Sequence, residues 1–294
     1  MQTTPQCETI LTHTYIDNCD DTQFNNLKKE NQYLLAKINI LTNNQNKGEK
    51  GEVLLLIELY YLNETKQYDK LIDIFGEEAS EGISILNMNT ENEILDINEL
   101  SKAKCGFKAD CKIKMKKTQN IYSISIKTKN GANPAILNHT PRSAKIFQEG
   151  GILCHSIICL DKILREYIDK RGKKIIGEDT LITNLECVKE DPLLKDEIIA
   201  VLTYFVFDGS GKGCSKCNAN AIMTYQDEKI TFIKCVNIED KHTYIKSIYD
   251  TIVLSLRDKS MPKVIPEYCK PWIFNDVKPD GLIKYKGSLH IRIK

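Results

Sequence analysis

The chain has 294 residues, enough for one large domain or two small ones with a real core, and 41 Lys and Arg against 40 Asp and Glu leave a net charge of +1. That balance excludes a globally basic nucleic-acid coat, so any such binding must come from local patches. Eleven cysteines in no regular framework, a polar start (MQTTPQCETI) without an apolar core, and no apolar run of membrane-spanning length point to reduced thiols in a soluble cytoplasmic protein.

In chain order, residues 20–41 read as a moderately polar helix, and 43–51 as a loop rich in Asn, Gly and Lys. A strong helix follows over 52–62, whose apolar run predicts burial on several sides. A shorter amphipathic helix is expected over 66–75, whereas the acidic stretch 76–104 has no clear period. The segment 107–128 reads as a β-hairpin. Phe107, Ala109, Cys111, Ile113 and Met115 alternate with Lys108, Asp110, Lys112, Lys114 and Lys116. In the second arm Tyr122, Ile124 and Ile126 alternate with Ser123, Ser125 and Lys127. With 117–120 as the loop, Lys116 pairs with Ile121 and Asp110 falls across from Lys127 on an exposed face. A one-residue slip would bury the lysines, so burial selects this register or one two residues away.

Residues 130–140 read as a loop, after which Thr140 caps and Pro141 opens a helix that stops near Gly150 and Gly151. The next helix spans 152–171, with Ile157, Ile158, Leu160, Ile163, Leu164 and Tyr167 in its apolar stripe and Gly172 at its C-cap. Residues 197–207 begin as a helix or buried strand and end as a strand, and 281–294 read as a hairpin. The order predicts an α/β or α+β fold with a mixed central sheet flanked by helices. No linker or repeat divides it, so 1–294 is expected to be a single domain.

An acid and a lysine on one face suit metal-assisted hydrolysis of a phosphodiester: carboxylates hold Mg²⁺, and an ammonium orients the attacking water. From pattern alone, a solvated ion pair of small energy is the commoner reading. The block KAD…SIKTKNGANPAILNHTPRSAKIF resembles the catalytic region of the PD-(D/E)XK nuclease superfamily, specifically the type II restriction endonucleases. In that pattern an acid opens one strand, and an acid, any residue and a lysine follow on the next. Asp110 matches the first acid and Lys127 the lysine; Ala109 stands in place of proline, and Ser125 where the second acid belongs. The resemblance implies a sequence-specific, Mg²⁺-dependent endonuclease acting on double-stranded DNA, a homodimer, and a restriction-endonuclease-like core over roughly 45–175. Residues 176–294 would complete the sheet and the DNA-contact surface. Glu52, after KGEKGE, matches the helical glutamate that such nucleases place beside the metal, and Glu149 is a second candidate; both also read as ordinary helix-end acids. Asp110, Glu52 and Glu149 are thus the expected metal ligands, and Asp110, Lys127 and Glu52 the catalytic set.

Lys129, Asn130, Asn138, His139 and Arg142 concentrate just past Lys127, as side chains suited to phosphates and base edges, or to capping their own loop. The run GSGKG lacks Walker A spacing and is not a nucleotide loop; its glycines, with Lys212 and Lys216, suit approach to a DNA backbone. Cys214 and Cys217 form a CxxC without a partner pair, half of a zinc site at most. A basic stretch at 255–263 adds one more local patch. Two other readings stay open: a non-catalytic nucleic-acid-binding protein with a degenerate nuclease fold, and a zinc-stabilised interaction protein.

Overall fold

The computed structural model describes residues 21–44, 47–103, 106–128, 135–138, 145–147, 150–177, 179–210, 213–226, 229–258, 273–277 and 283–294. Three helices come first: α1 (Asp21–Thr42), α2 (Lys47–Glu64) and α3 (Tyr68–Phe75). The strands β1 (Ile83–Leu86), β2 (Cys111–Met115) and β3 (Ile121–Thr128) follow, then β4 (Ala135–Asn138). Next come α4 (Ile157–Gly172), β5 (Thr180–Leu181), α5 (Glu186–Glu190) and α6 (Pro192–Thr203). The chain continues through β6 (Gly209–Ser210), β7 (Gly213–Cys214), β8 (Ala221–Gln226), β9 (Lys229–Lys234) and α7 (Ile238–Ile248), and closes with β10 (Ile252–Asp258), β11 (Ile273–Val277) and β12 (Ile283–Ile293).

The fold is α/β, with a mixed five-stranded sheet flanked by helices in the order β1-β2-β3-β8-β9. Its neighbours are antiparallel except β3 and β8, which run parallel with Ser125 level with Ile222 and Lys127 level with Thr224. A parallel pair cannot be closed by a turn, and here the chain leaves β3, builds α4 to α6 and returns as β8. A second sheet has the order β11-β12-β10-β5, with β4 pairing against β12. The first sheet is buried on both faces at the start of β8, which alternates between two cores. Ala221 and Met223 pack with α2 and α3, Leu55, Leu59 and Leu71 among them, whereas Ile222 packs with Leu160, Ile198 and Leu254 on the other side.

Several expectations change. The loop at 43–51 shrinks because α2 starts at Lys47 and takes in Gly48 and the buried Gly51. The unassigned acidic stretch contains β1, whose four residues are all buried and therefore show no alternation. Residues 201–207 are helical throughout: α6 continues into a π-type turn over 204–208, held under Phe205 and Phe207 in the core. The closing hairpin is one long strand, β12, because it pairs with β10, β11 and β4 and so leaves no turn at Gly287. Gly172 is the last residue of α4, with Lys173 as its cap. Thr140 and Pro141 lie outside the described residues, and 145–147 form a single 3₁₀ turn.

Gly82 precedes β1 at φ +89°, and a Cβ there would sit 2.6 Å from Asn63 Oδ1 and 2.9 Å from the Tyr68 ring. That same Asn63 oxygen accepts the Ile83 N–H at 2.9 Å, which ties α2 to the sheet edge. Gly82→Ala is expected to cost more than about 1 kcal/mol, read as a lowered urea midpoint; an unchanged midpoint would show that the edge relaxes freely.

Candidate active site

The site is built where β3 outruns β2. Cys111 pairs with Ile124 and Lys114 with Ile121, two residues from the register with Lys116 opposite Ile121. The loop closes on Met115, whose N–H donates to Asn120 O at 2.9 Å, while the Lys116 N–H turns to Gly82 O at 3.1 Å. The hydrophobic face is unchanged, as a two-residue shift requires. Asp110 consequently stands level with Ser125, not Lys127. Its N–H donates to Ile124 O at 2.7 Å, and its carboxylate accepts the Ile126 N–H at 2.7 Å. An aspartate thus continues the ladder past the end of β2 and is oriented by backbone.

Ser125 occupies the place where a second acid was expected, and it is 1 % exposed. Its hydroxyl donates to Asp110 Oδ2 at 3.4 Å and accepts from Lys127 Nζ at 2.8 Å. Lys127 Nζ also lies 3.5 Å from Ile126 O. Asp110, Ser125 and Lys127 therefore form one chain of hydrogen bonds. The face they share is not open, because the second core covers it at Ser125; Asp110 and Lys127 are partly buried.

Glu52, in the second turn of α2, meets this group from the other direction. Its carboxyl is pushed up from 4.5 to about 7, first by burial and then by the negative charge of Asp110; Lys127 pulls it down without offsetting them. The structure thus brings Glu52, Asp110 and Lys127 together at one end of the sheet. Sequence reasoning missed Lys108 as a fourth member. Its ammonium is lowered to about 7 by burial and by the positive charge of Lys127, with Asp110 acting in the opposite sense. The period-2 pattern already put Lys108, Asp110 and Lys127 on one face, which was the available signal. Cys111, one residue on, is fully buried, and burial holds its thiol well above the usual range, so it is inert.

The CxxC segment supports this cluster from behind. Ser215 Oγ accepts the Lys108 N–H at 2.7 Å, and Cys217 O accepts the N–H groups of Lys108 and Ala109 at 3.0 and 3.1 Å. Asn220 clasps Ser123 through its backbone N–H (2.8 Å) and its side-chain oxygen (2.7 Å). Cys214 is exposed and Cys217 half-buried, both as free thiols, and Cys217 Sγ donates to Ser123 Oγ at 3.5 Å. Among the described residues, no three His, Cys, Asp or Glu side chains cluster as a metal cage, which leaves the zinc reading without its remaining ligands there. In front of Asp110 lies a recess of about 150 Å³ bordered by Asn87, Asn89, Lys102 and Cys111. The Lys102–Glu49 ion pair (2.5 Å) stands near its rim.

Of the expected DNA-contacting residues, Lys129, Asn130, His139 and Arg142 lie outside the described residues, as does Glu149. Asn138 closes β4, a strand where a loop was expected, with its backbone level with His290 of β12. Among the described residues no helix is long and apolar enough to cross a membrane.

No family model matches the chain, and none of the curated proteins does. Among solved structures, the restriction endonuclease MspI in complex with its cognate DNA is similar over 81 % of this chain and 83 % of its own, at 11 % identity and a TM-score of 0.30.

Proposed function

We propose that this chain is a Mg²⁺-dependent DNA endonuclease of the restriction type, acting as a homodimer in the cytoplasm, with residues 1–294 forming one functional unit. The observation that carries the reading is the meeting of Glu52 and Asp110, two partly buried carboxylates whose mutual repulsion helps keep Glu52 near neutrality. Such a pair fits a hard divalent cation, which takes one or two carboxylates and keeps the rest of its shell as water. It does not fit structural zinc, which takes four protein ligands, usually Cys and His. Asp110 and Glu52 would hold the ion, with Glu149 as a further candidate. When bound, Mg²⁺ supplies a lowered water pKa and charge neutralisation at the phosphate.

The remaining work falls to the chain. Asp110 is aimed by the Ile126 N–H on Oδ2 and borders the recess, where it would ligate the ion. Ser125 accepts from Lys127 at 2.8 Å and so orients its ammonium, which in this reading would position the attacking water at the scissile phosphate. Lys108 adds a second cation, so the cluster holds two carboxyls and two amines, and a phosphate approaching it would meet no net repulsion. DNA contacts are assigned to Lys129, Asn130, Asn138, His139 and Arg142, which follow Lys127 directly in the chain.

Incubation with supercoiled plasmid and Mg²⁺ is expected to yield discrete fragments, and EDTA to prevent them. Binding in a gel-shift assay with no cleavage under any divalent metal would favour the non-catalytic nucleic-acid-binding reading instead.

A further inference from the structure

We propose that α1 is a self-association helix, pairing with α1 of a second copy of this chain as a parallel two-stranded coiled coil. The inference does not depend on DNA cleavage. One face of α1 is already occupied. Tyr33 stacks on Tyr61 of α2 with ring centroids 4.2 Å apart, Ala36 is buried, and Ile40 packs on the same core. About 160° around the helix, at 3.6 residues per turn, lies a second apolar stripe that touches none of this. Phe24, Leu27, Leu34, Leu35, Ile38 and Leu41 are 46–66 % exposed.

The spacing of that stripe is specific. Positions 24, 27, 31, 34, 38 and 41 alternate steps of three and four, the a and d sites of a heptad repeat. Five of the six are large apolar residues, and the sixth, Asn31, sits at an interior a site. A single a-site asparagine is the residue that fixes register and a two-chain state, because it bonds to its counterpart across the axis. In a flush antiparallel pair, a sites face d sites, so Asn31 would stand against Leu34 with no polar partner. The sequence therefore favours the parallel arrangement. Leu35, at the adjoining e site, widens the seam.

The area agrees. At roughly 150–200 Å² per large side chain, this exposure leaves on the order of 500 Å² of apolar surface along α1, the size of the largest apolar patch on a typical monomer, which is often functional. Two such faces approach the roughly 1,200 Å² at which stable interfaces begin.

Light scattering on the full chain at tens of micromolar is expected to give twice the 33.6 kDa chain mass. Leu34→Glu combined with Ile38→Glu, both exposed in the single chain, should give a monomer with an unchanged far-ultraviolet circular dichroism spectrum and a melting temperature that no longer rises with protein concentration. Asn31→Cys should form a disulfide-linked dimer under oxidation, above the wild-type background. A wild-type monomer would overturn the proposal, as would a dimer that survives the double substitution. A monomer that dimerises only when residues 1–20 are removed would show that the chain's own N-terminal segment covers the stripe. Cross-linking of Phe24→Cys to Leu41→Cys, with none at Asn31→Cys, would overturn the parallel register.

Discussion

Asp110→Asn is expected to lower plasmid cleavage by on the order of 10³-fold, the scale on which a charge that stabilises the transition state is lost. The substitution is informative because the carboxamide oxygen can still accept the Ile126 N–H that the carboxylate accepts now at 2.7 Å. The β2–β3 junction should hold, and the melting temperature should not fall. Lys127→Ala should reduce the rate by about 10²–10⁴-fold, the usual contribution of a positioned acid–base group. Gel shifts in Ca²⁺ should show both variants still binding DNA. Cutting at the wild-type rate by either one would place the chemistry elsewhere on the protein.

Glu52→Gln is expected to remove cleavage and at the same time to stabilise the metal-free protein at alkaline pH. The Glu52 carboxyl titrates near 4.5 in the unfolded chain and about 7 in the fold. Below 4.5 both states hold the proton, and burial of the neutral acid carries no charge penalty. Between 4.5 and 7 the unfolded chain releases the proton while the fold retains it, so stability falls as pH rises. Above 7 the fold must carry the charge, and the full penalty is about 3 kcal/mol. In EDTA, urea melts should therefore show Glu52→Gln more stable than wild type by up to about 3 kcal/mol at pH 8 and by almost nothing at pH 4.5. Added Mg²⁺ should raise the wild-type midpoint at pH 8 through binding to the folded state alone, and should leave Glu52→Gln nearly unmoved. A variant no more stable than wild type at pH 8 would mean that the Glu52 carboxyl is not held near Asp110 as described.

The elements legible in the sequence were those with a strong period. Residues 107–128 announced a hairpin because Cys111, Ile113 and Met115 alternate with lysines, and α1 and α3 carried helical spacing. The register was legible only to within two residues, since hydrophobic burial is blind to an even shift and Gln119, at φ 63°, decides where the turn closes. What the sequence hid was structure without a period. ISIL in β1 is buried on every residue, and 201–207 is apolar apart from Thr203, so neither pattern separates strand from helix. Gly287 looked like a turn residue but sits inside a strand with partners on both sides. At the site, the identity pattern pointed to Asp110, Lys127 and Glu52. The support that Ser215 and Cys217 give Lys108 joins segments more than 100 residues apart, which no local window contains; the Ser125 bridge is local but depends on the register that the pattern left open.

The parallel partnership of β3 and β8 also has a meaning for how the protein is made. Between Thr128 and Ala221 the ribosome must deliver α4, α6 and the turn after it before the strand that completes the first sheet emerges. Until then the flank of β3 carrying Ser125 and Ile126 is an open edge, and the segment from Ser215 to Asn220 that braces Lys108 and Ser123 has not been synthesised. At 5–20 residues per second, that interval lasts roughly 5–20 s. During it the nascent chain displays an unpaired strand, a template for association with other chains. A fragment ending near residue 175 would be arrested permanently in that condition: it would contain Glu52, Asp110 and Lys127 and still lack the strand that sets them in place.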